Sequence, residues 1–145
     1  MTFKNENYVE LSTDLIHDIF YSNISSRGRI ASIRQYTEIL FRKCLDLDEE
    51  QSVMLGKKEL IKQLKEISNN DPLVINALET IRTLGNNYTH TQYTGKVDVN
   101  DEEKAFDALL DVSAYIFVDY FTKYKFGKNN KVLTYFSYLP PSLRV

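Results

Sequence analysis

The spacing of apolar side chains between Arg27 and Leu45 constrains the fold most. Ile30, Ile33, Thr37, Leu40, Phe41 and Cys44 recur three and four residues apart. A helix gathers such positions into one seam, whereas a strand would scatter them over both faces. The same period recurs along the chain. Leu11, Leu15, Ile16, Ile19 and Phe20 predict a helix over about Tyr8 to Tyr21. Leu60, Ile61, Leu64 and Ile67 predict another over about Lys57 to Ser68. Leu73, Ala77, Leu78, Ile81 and Leu84 define a fourth. Ala105, Phe106, Leu109, Val112, Ile116, Phe117 and Tyr120 define a fifth, over about Asp101 to Lys125.

Boundary signals fall between these runs. Ser25 or Ser26 suits the N-cap of the second helix. Asn69, Asn70, Asp71 and Pro72 stop the third helix and start the fourth, with Asp71 as cap and Pro72 in the first helical position. Asn100, followed by three acidic residues, reads as the start of the fifth helix, because carboxylates complement the N-terminal dipole. Gly127 ends that helix. Lys131 to Tyr138 alternates in a strand-like way before Pro140 and Pro141. The expected architecture is all-α: an up-and-down bundle of about five helices over residues 1–127, with an extended C-terminal arm over residues 128–145. That arm is apolar, so it is expected to pack on its own bundle, on a partner subunit or on another protein.

Composition narrows the functional classes. The chain has 145 residues, only 5 Gly and 3 Pro, too few for the many turns of a sandwich or barrel. One cysteine excludes an internal disulfide framework and a cysteine zinc cluster, and two histidines leave little for a histidine metal site. No metal or cofactor is expected. The net charge of −2 provides no global attraction for nucleic acid. A nucleic-acid role would need a local patch, and Arg27, Arg29, Arg34 and Arg42 offer one on the second helix. No apolar run is long enough to span a bilayer and no signal sequence is visible, so a cytoplasmic protein is expected.

The chemistry-bearing stretch is Arg82 to His90. If the helix persists through it, Arg82, Asn86 and His90 are successive i,i+4 neighbours on one slowly drifting stripe. A cation, an amide and an imidazole together can bind a phosphate, and the imidazole can move a proton near neutral pH. The alternative is a polar helix end on the surface. Arg34 and Glu38, four apart, can form an ion pair that fixes helix register. His17 has Asp14 and Asp18 nearby but no ligand set, and reads as structural. Cys44 lies on the apolar seam and reads as core. Tyr115, Tyr120 and Tyr124 could stack on bases, but at helical spacing they more often serve core or interface. Walker, dinucleotide, zinc and nucleophile-elbow motifs are absent.

The run Arg-x-x-Gly-Asn-x-x-x-His, Arg82 to His90, follows a helix bearing Arg34 and Glu38 and precedes a long helix with an acidic start. This arrangement resembles the HEPN superfamily, in its bacterial branch with a Gly-Asn-x-x-x-His signature, over about Arg27 to Tyr124. The resemblance implies a homodimeric helical bundle and, in active members, a metal-independent endoribonuclease in defence or toxin systems. His90 would then act as general base or acid, Asn86 as the polar partner and Arg82 as the cation, with Arg34 and Glu38 extending the site toward substrate. The chain departs from the active motif where Gly85 stands directly before Asn86 in place of arginine. The alternatives are a non-catalytic dimerisation or regulatory module with the same fold, and nucleotide binding on the same stripe.

Overall fold

The computed structural model describes residues 6–44, 58–89 and 94–123, all of them helix or short connection. The helices are α1 (Glu6–Phe20), α2 (Ser26–Cys44), α3 (Lys58–Ile67), α4 (Pro72–Thr89) and α5 (Val99–Lys123). No strand occurs among the described residues. The all-α expectation therefore holds. The strand-like arm over residues 128–145, and Gly127 as the end of the last helix, lie outside the described residues.

Helices α2, α4 and α5 pack on one another as a central trio. Helix α1 lies against α2, and α3 against α4. Because α2 has neighbours on several sides, its buried face is wider than the single expected seam. Ile30, Ile33, Thr37 and Phe41 are buried as the spacing predicts, but Tyr36 and Ile39 are buried too. A helix packed on several sides buries residues beyond its main apolar seam and keeps only a narrow polar strip, on which Gln35 is exposed. The hydroxyl of buried Thr37 donates back to Ile33 O at 2.8 Å, so this polar position is satisfied within the helix. Leu64, Val74, Leu78, Ile81, Leu109 and Val112 complete the centre. Truncating any one of these leucines to alanine costs about 2–5 kcal/mol in a close-packed interior. Phe20 meets Phe106 edge to face, with centroids 5.3 Å apart, tying the end of α1 to α5.

The caps account for most boundaries. Ser25 Oγ accepts from Gly28 N at 3.0 Å, so Ser25 rather than Ser26 caps α2. Asp71 Oδ1 accepts from Leu73 N at 3.0 Å, with Pro72 in the first helical position of α4. Asn69 and Asn70 stop α3 by adopting left-handed φ values of 52° and 59°, which asparagine tolerates better than most residues. Asn70 N then reaches back to Lys65 O at 2.8 Å.

Two expectations need correction. Helix α5 starts at Val99, capped by Asp98, whose Oδ1 accepts from Asn100 N at 2.9 Å. Asn100 is thus inside the helix. Leu11, expected on the core face, is 41% exposed, and buried Ser12 takes its place. Helix α4 runs through Gly85 to Thr89, so Arg82 and Asn86 lie on one helix as the stripe requires. Among the described residues, no helix is long and apolar enough to cross a membrane.

Candidate functional site at the α2–α4 seam

The persistence of α4 sets the site. Arg82, Gly85 and Asn86 all lie on this helix. His90 falls one residue past its end and lies outside the described residues. Arg82 and Asn86 are one turn apart, as the stripe requires, but Arg82 is engaged elsewhere. Its Nη2 lies 2.7 Å from Glu79 Oε2 and its Nε 3.3 Å from the same oxygen. This is an i,i+3 pair on the outer part of the helix.

The guanidinium that meets Asn86 comes from α2. Arg34 Nη1 donates to Asn86 Oδ1 at 2.7 Å, across 52 residues of sequence. Arg34 Nε lies 3.6 Å from Glu38 Oε1, one turn further along α2. Both side chains are largely covered, 20% and 27% exposed, so the cost of taking the two charges out of water weighs against their attraction. Burial pushes the Glu38 carboxyl above its ordinary value, and the charges of Arg34 and Arg42 oppose that push without cancelling it.

Gly85 explains how Arg34 gets there. A Cβ at this position would lie 2.6 Å from Arg34 Cδ and 3.3 Å from Cγ. The stem of Arg34 thus crosses α4 where a side chain is missing. The glycine's value here is a close approach, since the residue sits inside a regular helix. The residue that breaks the expected motif is the one that admits an arginine from the facing helix.

A second polar group closes the end of α4. Arg27 Nη1 donates to Tyr88 O at 2.7 Å and Nη2 to Gly95 O at 3.2 Å. Its guanidinium also sits 5.6 Å from the centre of the Tyr88 ring, a cation–π distance. Tyr88 Oη donates to Asp101 Oδ2 at 2.6 Å, and that hydrogen bond, aided by burial, raises the phenol above its ordinary value. Arg27 therefore grips the connection between α4 and α5 on both sides of residues 90–93.

The expected cationic face of α2 is thus distributed among partners. Arg27 binds carbonyls, Arg29 pairs with Glu102, Arg34 joins Asn86 and Glu38, and Arg42 lies over the Tyr8 ring at 5.6 Å. Ser26 also donates to Glu102 at 2.5 Å. The Arg27–Tyr88 and Arg34–Asn86 contacts left no local sequence signal, because both join residues far apart along the chain. A glycine inside a helical run was the one hint that something approaches there.

The remaining candidates are quickly placed. His17 is 67% exposed, with Nδ1 4.0 Å from Asp18 Oδ1. Among the described residues, no group of three or more His, Cys, Asp or Glu side chains could hold a metal. Tyr115 Oη donates to Ile67 O at 3.2 Å, a link between α5 and the end of α3. The side chains of Cys44 and Tyr120, and all of Tyr124, lie outside the described residues. The seam chemically offers a guanidinium fixed in orientation, an amide and a half-buried carboxyl. Comparison of the chain with family models, curated proteins and solved structures finds no match.

Proposed function

We propose that the α2–α4 seam is the working site of an RNA-directed domain similar to the HEPN superfamily, acting on phosphodiesters without a metal. The observation that carries this reading is the Arg34–Asn86 hydrogen bond, 2.7 Å long, on the turn of α4 that leads to His90. Arg34 supplies the cation that the motif lacks beside Asn86, and Arg82 does not, being held by Glu79. A guanidinium has five N–H donors, so the bond to Asn86 and the ion pair with Glu38 leave capacity for phosphate oxygens. His90 takes the proton from a ribose 2′-OH. The 2′ oxygen bonds to the adjacent phosphorus, the bond to the 5′ oxygen breaks, and that oxygen takes a proton from water and leaves as a hydroxyl. Arg34 stabilises the charge that builds on the phosphoryl oxygens. The reading includes a homodimer, a cytoplasmic setting in a toxin or defence system, and a partner protein meeting the C-terminal arm.

A second reading has its own support. Arg29, Arg34 and Arg82 each face a carboxylate, Glu102, Glu38 and Glu79. Charges so matched build a bundle well and attract phosphate poorly, which favours a non-catalytic dimerisation or regulatory module. One experiment separates the two. Structured and single-stranded RNAs are incubated in EDTA with the wild type and with His90→Ala. Cleavage that survives EDTA and is lost in the variant supports the enzyme. A stable, folded dimer that cleaves none of them supports the module.

A further inference from the structure

Helix α5 carries a crest of carboxylates along its outer side. Glu103, Asp107 and Asp111 are four apart, with the first two exposed and the third half-buried. Among the described residues, none of the three has an ion pair or hydrogen bond. Glu102, by contrast, is taken by Arg29 and Ser26. A groove of about 250 Å³ runs beside the crest between α4 and α5, past Leu73, Ala77 and Ala108. Leu73 is 53% exposed at its edge. Lys104 also lines this groove, so three carboxylates stand against one ammonium. The face is apolar in its groove and acidic along its crest.

The opposite charge stands on α3. Lys58, Lys62 and Lys65 are exposed, and at 100° per residue they fall within about 60° around the helix. Glu59 and Glu66 fall to one side of that stripe. None of the three lysines has an ion pair or hydrogen bond among the described residues. Helix α3 packs on α4 and buries Leu60 and Leu64, which turns the lysines outward. The two sets match in length. The lysines span about 10 Å of helix and the carboxylates about 12 Å. Lysine can lay its stem on an apolar groove and place its charge on the carboxylates beside it. Within one chain the stripe and the crest do not pair. Each subunit therefore offers both halves of a contact that it does not make with itself. A two-fold pair of subunits closes that contact twice and leaves neither crest unmatched.

We infer that the α5 crest and its groove are the docking surface for α3 of a second copy of this chain, with Lys58, Lys62 and Lys65 of each subunit on Glu103, Asp107 and Asp111 of the other. The inference rests on the homodimer of the reading above and not on its RNA chemistry. None of the six residues touches Arg34, Glu38 or Asn86, so the two fail independently.

The test exchanges the charges in the full chain. One variant carries Lys58→Glu, Lys62→Glu and Lys65→Glu, and the other Glu103→Lys, Asp107→Lys and Asp111→Lys. Sedimentation of the wild type at micromolar concentration should give a dimer that about 0.5 M salt weakens. Each variant alone sets like charges together in both contacts and should self-associate at least about a hundred-fold more weakly, with the helical circular dichroism unchanged. An equal mixture of the two variants restores attraction in both contacts and should dimerise like the wild type. A wild type that sediments as a monomer, a dimer that neither exchange weakens, or a mixture that stays monomeric would each overturn the inference. A second measurement needs no variant. Equal amounts of unlabelled and ¹⁵N-labelled wild type are mixed and treated with a zero-length carbodiimide, and cross-linked peptides are read by mass spectrometry. Links from the α3 lysines to the α5 crest are expected in mixed-isotope pairs. Such links only in isotopically pure pairs, or from these lysines to other carboxylates alone, would overturn it.

Discussion

Replacing Gly85 by alanine should destabilise the protein, although alanine is the better helix former. The new Cβ would lie 2.6 Å from Arg34 Cδ, 3.3 Å from Cγ and 3.4 Å from Cβ. Carbon atoms in contact rest about 3.5–4.0 Å apart, so the Arg34 stem must give way by about 1 Å. It cannot do so freely, because its guanidinium is bonded to Asn86 at 2.7 Å. Driving the stem off its rotamer costs about 1 kcal/mol. Losing the half-covered hydrogen bond costs about 1 kcal/mol more. The gain in helix propensity offsets about 1 kcal/mol. The net loss is therefore about 1 kcal/mol, or about 4 °C in Tm for a chain of this size. The sharper expectation is a change of sign. In an Arg34→Ala background the stem is gone, and Gly85→Ala should stabilise by about 1 kcal/mol. The coupling between the two positions is then about 2 kcal/mol. Urea titrations of the four proteins at pH 7, followed by far-ultraviolet circular dichroism, measure it. An effect of Gly85→Ala that is equal in both backgrounds, within about 0.5 kcal/mol, would refute the claim that the glycine is there for the arginine.

Other expectations follow from the same structure. Burial holds the Glu38 carboxyl above its ordinary 4.5, so the folded form binds that proton more tightly than the unfolded form. Stability should fall as pH rises from about 4.5 through the raised value, and Glu38→Gln should remove the fall. The urea midpoint of Glu38→Gln should gain on wild type above that pH, and a gap that instead widens toward acid would contradict it. Tyr88→Phe should cost about 1 kcal/mol at pH 7 through the lost bond to Asp101. The phenol is raised above its ordinary 10.0, so this contribution is complete below pH 10 and disappears as the folded phenol titrates. The Phe variant should therefore converge on wild type in alkaline titrations. Asp98→Ala should lower stability by about 1 kcal/mol as a lost cap, and Asn100→Ala by much less. Thermal melts of the two variants decide between these residues as the start of α5.

The fold was legible because apolar spacing is local information. The seam of α2, the Asp71–Pro72 start of α4 and the asparagine stop of α3 are each written within a few residues. What escaped depended on neighbours far along the chain. Tyr36 and Ile39 are buried because α2 sits between α1, α4 and α5, which no window on α2 reveals. Leu11 is exposed because α1 packs chiefly on α2, which leaves its outer side to solvent. The site was half legible. Asn86, Arg34 and Glu38 carry the right chemistry in sequence, and the ion pair between the last two was expected from their spacing. The joining of Arg34 to Asn86 was not, since helical spacing assigns neighbours only within one helix. That rule matched Asn86 with Arg82, the residue one turn away. It is the facing helix, admitted by Gly85, that supplies the arginine.

The central claim is that Arg34, and not Arg82, provides the cation of a phosphate-directed site. Its most direct test is the affinity of a fluorescent single-stranded RNA for wild type, Arg34→Ala and Arg82→Ala, in EDTA at low salt, with folding checked by circular dichroism. The account predicts that Arg34→Ala weakens binding at least about ten-fold, near 1.4 kcal/mol, while Arg82→Ala changes it less than about two-fold. Equal binding by all three proteins, or a larger loss in Arg82→Ala, would contradict it.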